Sequence, residues 1–455
     1  EDYHDIEARI IAPSNDWSSD VVDWRRCSFE HSFLQGPGRD ELPFDGKSDR
    51  PGLSDALRRL DKLAGIVAAD FGMFSVFGDA RVDRYQHGPG AVADLRGSDY
   101  KFDFPNWPSK LDGLFPFDWC GSSTLDCKGI TPSRHEPPSK LIAVPKTAKG
   151  PRLIASEPTA HQWCQQWLKN ELVARSRELP IGRFIDFADQ SLSAEMVIHA
   201  SKTRSLSTLD LSSASDRVSC RHVECLFAAN RSLLDHLHAV RTRWVKDSIS
   251  SPARFLVLKK FAAMGSALTF PVQSIFFLCV CLAASGAYDR RSMMNLKGKV
   301  RVFGDDLIVP TEAYASTVSL LTHLGLVVNP TKSFSQGYFR ESCGQDAYRG
   351  DDVTPIKPKV LWCHGPESYQ SLVDTSNNLH FAGFWHAARE VASIATYRRF
   401  SPKVVGNASG LPGLTSYLKY VPMKVKWDSD LQIWTTKVVS LISRRKQLSP
   451  VTSAG

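Results

Sequence analysis

From residue 299 the chain reads KVRVFGDDLIVPT. Valines alternate with other residues up to Gly304, and Leu307, Ile308 and Val309 follow two adjacent acids, Asp305 and Asp306. That pattern predicts two short strands meeting at a tight turn, a β-hairpin with two carboxylates at its tip. Elsewhere the spacing changes. LSDALRRLDKLAGIVAADFGMF, 53–74, repeats Leu, Ala and Ile at helical intervals and predicts a packed helix. The Gly/Pro/aromatic tract 85–119 is too rich in aromatic residues for a disordered linker and predicts a pinned, packed loop. LIAVPKTAKGPRLIASEP, 141–158, predicts two apolar strands joined by a basic turn carrying Lys146, Lys149 and Arg152. Residues 160–200 predict helix, loop, helix, with Asp189-Gln190 as polar loop. In SLSTLDLSSASDRVS, 205–219, an alternating strand delivers Asp210 at its end, and Asp216 follows on a turn that starts a helix. Residues 221–260 read as helical, then as basic and extended; TEAYASTVSLLTHLGLVV, 311–328, has helical Leu/Val spacing, with a strand expected after it.

No charged residue occurs between Ala262 and Tyr288. The length alone would span a bilayer, but Gly265, Ser266, Thr269, Pro271, Gln273 and Ser274 crowd its first half. Polar groups so dense are costly in lipid, so a loop followed by a buried core helix is expected. At 455 residues the chain can bury a large core in two or three subdomains. Its 42% apolar and 23% charged residues are ordinary for a globular protein. A net charge of +8 fits a polyanionic partner without proving one. The ten cysteines form no CxxC pair and no zinc spacing, so reduced thiols are expected. The opening EDYHDIEARI is charged and lacks the apolar stretch of a secretory signal, so none is expected.

Two anions side by side repel, and a solvated acidic turn is the bland reading of Asp305-Asp306. The other reading is a cation site, since Mg²⁺ prefers oxygen ligands and keeps several waters. Asp210, also at a strand end, supplies the third carboxylate that a two-metal site needs as a bridge. Ser and Asp cap helices well, which leaves Asp216 a structural alternative. The basic hairpin at 141–158 suits triphosphate oxygens, with Arg binding by its fork and Lys as a point charge. Gly350-Asp351-Asp352 repeats the letters GDD without alternating apolar flanks and reads as a solvated turn.

The ordered blocks PKTAKGPR, TLDLSSASD, MGSALTFPVQS, VFGDDLIVP and PTKSFSQGYFRESCG resemble viral RNA-dependent RNA polymerases. The last two, with DVTP at 352–355, resemble the replicase beta subunit of Qβ-like single-stranded RNA bacteriophages. The resemblance implies an α+β right-hand fold with an antiparallel, RRM-like palm sheet. It assigns 1–200 to an N-terminal region and fingers and 201–345 to a palm with a fingers insertion at about 226–260. Residues 346–455 fall to a thumb and C-terminal region, whose Arg444-Arg445-Lys446 cluster is suited to an RNA backbone. It implies two Mg²⁺ ions, replaceable by Mn²⁺, on Asp210, Asp305 and Asp306, and Lys332 as general acid to pyrophosphate. Lys146 and Arg152 would grip the incoming triphosphate, while Asp216, Ser266 and Thr269 would recognise the ribose. Gly265, Gln273, Phe339 and Arg340 would lie near primer and template, with Cys343 packing beside them. Met264 and Gln273 stand where many polymerases carry Ser and Asn, which unsettles the ribose contacts more than the metal site. RNA template, nascent RNA and NTPs are the implied partners, with host elongation factors Tu and Ts and a host ribosomal protein, in the bacterial cytoplasm and without a membrane. Two other readings stay open. A reverse transcriptase usually carries a bulky aromatic at the ribose gate, where this chain has Ser215 and Asp216. A non-catalytic RNA-binding or repressor protein of polymerase shape would have no need of the intact acids.

Overall fold

The structure is a computed structural model that describes residues 52–77, 84–95, 101–102, 104–121, 131–147, 150–250, 252–358, 366–395, 402–406, 413–416 and 424–437. At 145–147, 150 and 366–367 it describes the backbone alone. The chain divides into two units, Glu1–Val353 and Thr354–Gly455.

In the first unit helix α1 is Leu53–Asp70, strands β1 and β2 are Ser139–Thr147 and Gly150–Ser156, and helices α2 and α3 are Thr159–Glu178 and Ser191–Thr203. Strand β3, Leu206–Ser212, leads into the short helices α4 (Ala214–Arg217) and α5 (Cys220–Leu226), then α6 (Arg231–Val240). Strands β4 (Trp244–Asp247) and β5 (Arg254–Val257) precede helix α7, Thr269–Ala284. Strands β6 (Arg301–Phe303) and β7 (Asp306–Pro310), helix α8 (Tyr314–His323) and strand β8 (Val327–Val328) follow. A last group, β9 (Phe339–Ser342), β10 (Gln345–Tyr348) and β11 (Asp351–Asp352), closes the unit.

Helix α7 is the uncharged stretch, and its core role follows from burial on every side. Val272 and each residue from Ile275 to Ala283 are fully covered, so no face remains for lipid or water. Helix α1 packs along it with Leu57, Leu60, Leu63, Ala64 and Val67 buried, and Arg59 donates to the Ala283 carbonyl near the end of α7. A cation there satisfies one of the carbonyls that a helix leaves unpaired at its C-terminus. No helix among the described residues is long and apolar enough to cross a membrane.

Two four-stranded sheets flank this core. One has the order β6-β7-β3-β8 and is antiparallel throughout. The other runs β2-β1-β4-β5, with a parallel pairing between β1 and β4. In the aromatic tract at 85–119 Trp107 and Phe115 are fully buried, and the Trp107 indole donates to the Phe115 carbonyl, while Phe102 and Trp119 stay exposed. The helical spacing over 311–328 yields a helix that stops at His323. Gly325 takes φ 74, the Leu326 N–H reaches back to the Leu321 carbonyl, and Val327-Val328 leave to pair with β3. Gly350 turns at φ 95, but Asp351 and Asp352 then form an exposed edge strand against β10 rather than a free loop. No cysteine with a described thiol is in a disulfide.

In the second unit helices α9 (Pro366–Phe381) and α10 (Trp385–Ile394) pack together. Strands β12 (Val404–Gly406) and β13 (Leu414–Ser416) pair in parallel, and β14 (Val425–Asp428) with β15 (Ile433–Thr436) makes a hairpin. The Arg444-Arg445-Lys446 cluster lies outside the described residues.

Candidate active site

The register of one sheet brings distant acids together. In the β3–β7 pairing Leu209 lies opposite Leu307 and Asp210 opposite Asp306. Residues directly opposite in an antiparallel pair project from the same face, their Cα atoms about 4.5–5.5 Å apart. The leucines are buried, so the pleat that turns them inward presents the two carboxylates at the end of the sheet. Asp305 sits beside them on the turn between β6 and β7.

That turn is locked from behind by α7. Gly304 adopts φ 62, and a Cβ there would stand 2.7 Å from the Phe270 ring. Its N–H donates to the Ser274 hydroxyl, which in turn donates to the Phe270 carbonyl. Gln273 is nearly buried against the same turn, and its side-chain carbonyl has no partner.

Electrostatically the site is overcharged. Burial pushes the Asp306 carboxyl up, the Cys343 N–H opposes that, and Asp305, Glu341 and Asp210 add repulsion; the outcome is about 6, against an ordinary 3.8. The neighbouring Cys343 thiol is itself pushed to about 11, first by burial and then by Asp306, which fits a packing role. Asp210 is tethered by the loop after β8. Asn329 Nδ2 donates to Asp210 Oδ2 at 2.9 Å, the Asn329 N–H reaches the Asp210 carbonyl, and the Asp210 N–H donates to the Ser333 hydroxyl. Lys332 is exposed on that loop, with its N–H on the Asn329 carbonyl. Among the described residues no three Asp, Glu, His or Cys side chains are drawn tightly enough to form a ready metal cage. The donor set is nevertheless all carboxylate, and the repulsion raising Asp306 is what a bound cation would relieve.

The assigned ribose residues lie one step along α7. Thr269 opens that helix, its hydroxyl donating to the Ala263 carbonyl, and the Ser266 N–H bonds the same carbonyl. Gly265, at φ 122, passes so close to β2 that a Cβ would stand 1.9 Å from the Ala155 carbonyl oxygen. Only glycine fits, and the Ala155 N–H donates to the Met264 carbonyl across the contact. Arg152 is exposed on β2; the side chain of Lys146 and the whole of Lys149 lie outside the described residues. Asp216 follows Ser213, which takes the left-handed φ 51, and its carboxylate pairs at 2.8 Å with Lys260, a lysine with no exposed surface. It does not cap a helix.

Two assignments meet a different environment. Arg340 is fully buried, and its guanidinium donates to the carbonyls of Leu206, Gln336, Gly337 and Phe339; it clamps β9 to β3 and is not available to RNA. Gly265 meets a strand backbone, as above. Phe339 packs edge-on against Phe334. Lys260, Asn329 and Ser333 were not singled out from the sequence. A lysine in LKKF reads as surface and an asparagine before proline as turn, so only the folded contacts distinguish them.

A family model described as RNA replicase, beta-chain, matches residues 123–364. The chain is 31% identical over 416 residues to the RNA-directed RNA polymerase subunit beta of Escherichia virus Qbeta, covering 88% of this chain and 66% of that protein. It is 33% identical over 222 residues to the corresponding subunit of Enterobacteria phage SP, covering 48% and 35%. The RNA-directed RNA polymerase beta chain of Escherichia phage MS2 is 31% identical over 217 residues, covering 48% and 37%. The chain thus spans from about a third to just under two thirds of these relatives' lengths. Its likeness to the solved BmCPV RNA-dependent RNA polymerase is loose, with 11% identity and a TM-score of 0.44 over 60% of this chain and 28% of that one, and carries no weight. With the family match extending over more than half its residues, the chain belongs to the RNA replicase beta-chain family.

Proposed function

We propose that this chain is the catalytic subunit of a phage RNA replicase, an RNA-directed RNA polymerase that joins ribonucleotides on an RNA template. The observation that carries the reading is the register of Asp210 against Asp306 with Asp305 alongside, in a chain of the replicase family. On this reading the β6-β7-β3-β8 sheet is the palm, β1 and β2 belong to the fingers, and the residues after 345 form the thumb and C-terminal region.

Asp210, Asp305 and Asp306 would hold two Mg²⁺ ions, or Mn²⁺ in their place. Bound there, the metal supplies Lewis acidity toward phosphoryl oxygens and lowers the pKa of a bound hydroxyl. The chain's own groups do the rest. In nucleotidyl transfer a bond forms from the 3′-oxygen to the α-phosphorus while the bond to the bridging oxygen breaks, and pyrophosphate leaves. Lys332, carried on the loop tethered to Asp210, is the donor of a proton to that leaving oxygen. Lys146 and Arg152 neutralise the triphosphate. Asp216, fixed by Lys260, and the hydroxyls of Ser266 and Thr269 read the ribose 2′-OH.

The family resemblance extends the reading to host elongation factors Tu and Ts and a ribosomal protein as partners, in the host cytoplasm. The test is incorporation of labelled NTPs on a primed RNA template by the wild-type chain and by Asp305→Asn. The variant should keep its circular dichroism spectrum and lose incorporation. Turnover retained by the variant would sink the proposal, and comparing ATP with dATP separates it from a reverse transcriptase.

A further inference from the structure

The second sheet carries chemistry that the acid site does not use. Two recesses adjoin beside β1 and β4. The first, of about 410 Å³, is lined by Ser109, Lys110, Ser133, Arg134, Glu136 and Arg243. Its one carboxylate is already taken: Arg243 donates through Nε and Nη2 to Glu136 Oε2, and Lys110 donates to Oε1 at 3.1 Å. Arg134 is exposed and bonds no group among the described residues. Three cations against one carboxylate leave the recess positive and open to an anion.

The second recess, of about 370 Å³, shares Arg134, Glu136 and Arg243 with the first and adds Trp244 and Phe255. The alternation of β4 turns Val245 and Asp247 inward and leaves Trp244 and Lys246 outside. Trp244 is 41% exposed and Phe255 59%, and Lys246 Nζ lies 5.7 Å from the centre of the Phe255 ring. Large rings left in water beside the exposed Arg134 guanidinium, with Arg243 held at the rim by Glu136, suit an occupant that carries both a charged and a flat group. Phosphate binds a guanidinium fork, and a flat base stacks on an indole or phenyl face. Only an unpaired strand offers both groups together, since a duplex keeps its bases stacked inside.

We propose that these joined recesses are an accessory binding site for single-stranded RNA, separate from the site that holds the acids, with phosphate on Arg134 and Arg243 and bases on Trp244 and Phe255. The choice of RNA over other single strands rests on the polymerase reading; the site itself does not. The experiment uses the full chain, an oligouridylate containing 4-thiouridine, photocrosslinking with peptide mapping, and anisotropy titrations over a range of salt. Adducts are expected on the peptide containing residues 244–257. Arg134→Gln with Phe255→Ser, both at exposed positions, should lose those adducts and bind about ten-fold more weakly. The log–log salt slope should become shallower by roughly 0.7 for each phosphate contact removed. Extension of a short hairpin template should be unchanged in the variant. Adducts found only elsewhere, or unchanged affinity in the variant, overturn the proposal; a protein ligand for this surface would appear as that same absence of RNA adducts. A wild-type chain that crosslinks as expected but extends no template would retain this site while removing the polymerase reading.

Discussion

Two carboxylates in this chain are buried on opposite terms. Asp306 lies among Asp305, Glu341 and Asp210 and is pushed up to about 6. Burial pushes Glu136 up as well, but Lys110, His161 and Arg243 outweigh it and hold that carboxyl down at about 2. Like charges are gathered at one place and opposite charges at the other. Gathering like charges around a buried carboxyl costs stability, so stability alone gives no reason for the first arrangement. The unpaired group therefore marks where an external cation is expected, and the paired one marks architecture.

The strongest way to break this contrast is to neutralise the overcharged side. Asp306→Asn should lower nucleotide incorporation on the order of 10³-fold, comparable to removing a group that stabilises developing charge. Stability should move the other way. Between the unfolded value of 3.8 and the folded value of about 6, the folded chain holds a proton that the unfolded chain has released. Rising pH through that window therefore destabilises the wild type, by about 2–3 kcal/mol in full, and above it the deficit is constant. Urea denaturation should accordingly find the variant more stable than wild type at about pH 8 and nearly equal to it at about pH 4. Magnesium should raise the wild-type melting temperature at the higher pH, with the gain reversed by chelator and absent in the variant. Equal stabilities at both pH values would remove the overcharged site.

Neutralising the paired side should do the reverse. Glu136→Gln leaves the partly buried Lys110 and the quarter-exposed Arg243 without their counter-ion, and about 2 kcal/mol of stability should be lost at neutral pH. Because the folded value of about 2 lies below the ordinary 4.5, the wild-type contribution is fully present above 4.5 and disappears as pH falls toward 2. The difference between wild type and variant, followed by denaturation across that range, should therefore shrink with acid. A constant difference would mean that Glu136 acts by shape alone.

The same contrast explains what could be read before the fold was known. Asp305 and Asp306 stood out because an alternating strand on each side left them nowhere but a turn, and Asp210 because its strand ended on it. The uncharged α7 was legible for a similar reason, since its apolar run could only be buried or in lipid and its polar start excluded lipid. Gly265 was visible as a motif residue, but its cause, the Ala155 carbonyl, lies on a strand more than a hundred positions away. Lys260, Arg340 and the set of Lys110, Glu136 and Arg243 were invisible for one physical reason. Each of these charges meets at least one partner far along the chain, and no local period records that partner. The motif placed Arg340 near the primer end, and only the fold shows that its side chain holds two strands together.

The smallest expected effect tests whether the loop after β8 positions Asp210 or merely covers it. Asn329 gives its amide to Asp210 Oδ2 and its backbone N–H to the Asp210 carbonyl, so Asn329→Ala removes the first bond and keeps the second. A hydrogen bond to a charged group contributes about 1.5–3 kcal/mol, but Asp210 is only half-buried and water can replace part of it. Stability should therefore fall by about 1 kcal/mol at most. Incorporation should suffer through kcat, by about ten-fold, with KM for NTP little changed, because a carboxylate free to rotate holds its cation in the productive geometry less often. Asn329→Asp keeps the shape but adds a fifth negative charge beside Asp210, Asp305, Asp306 and Glu341, so it should be worse than alanine in kcat and should need more Mg²⁺ to saturate. If aspartate instead performs as well as asparagine, the amide proton has no part in orienting Asp210, and the loop serves the site only through its backbone.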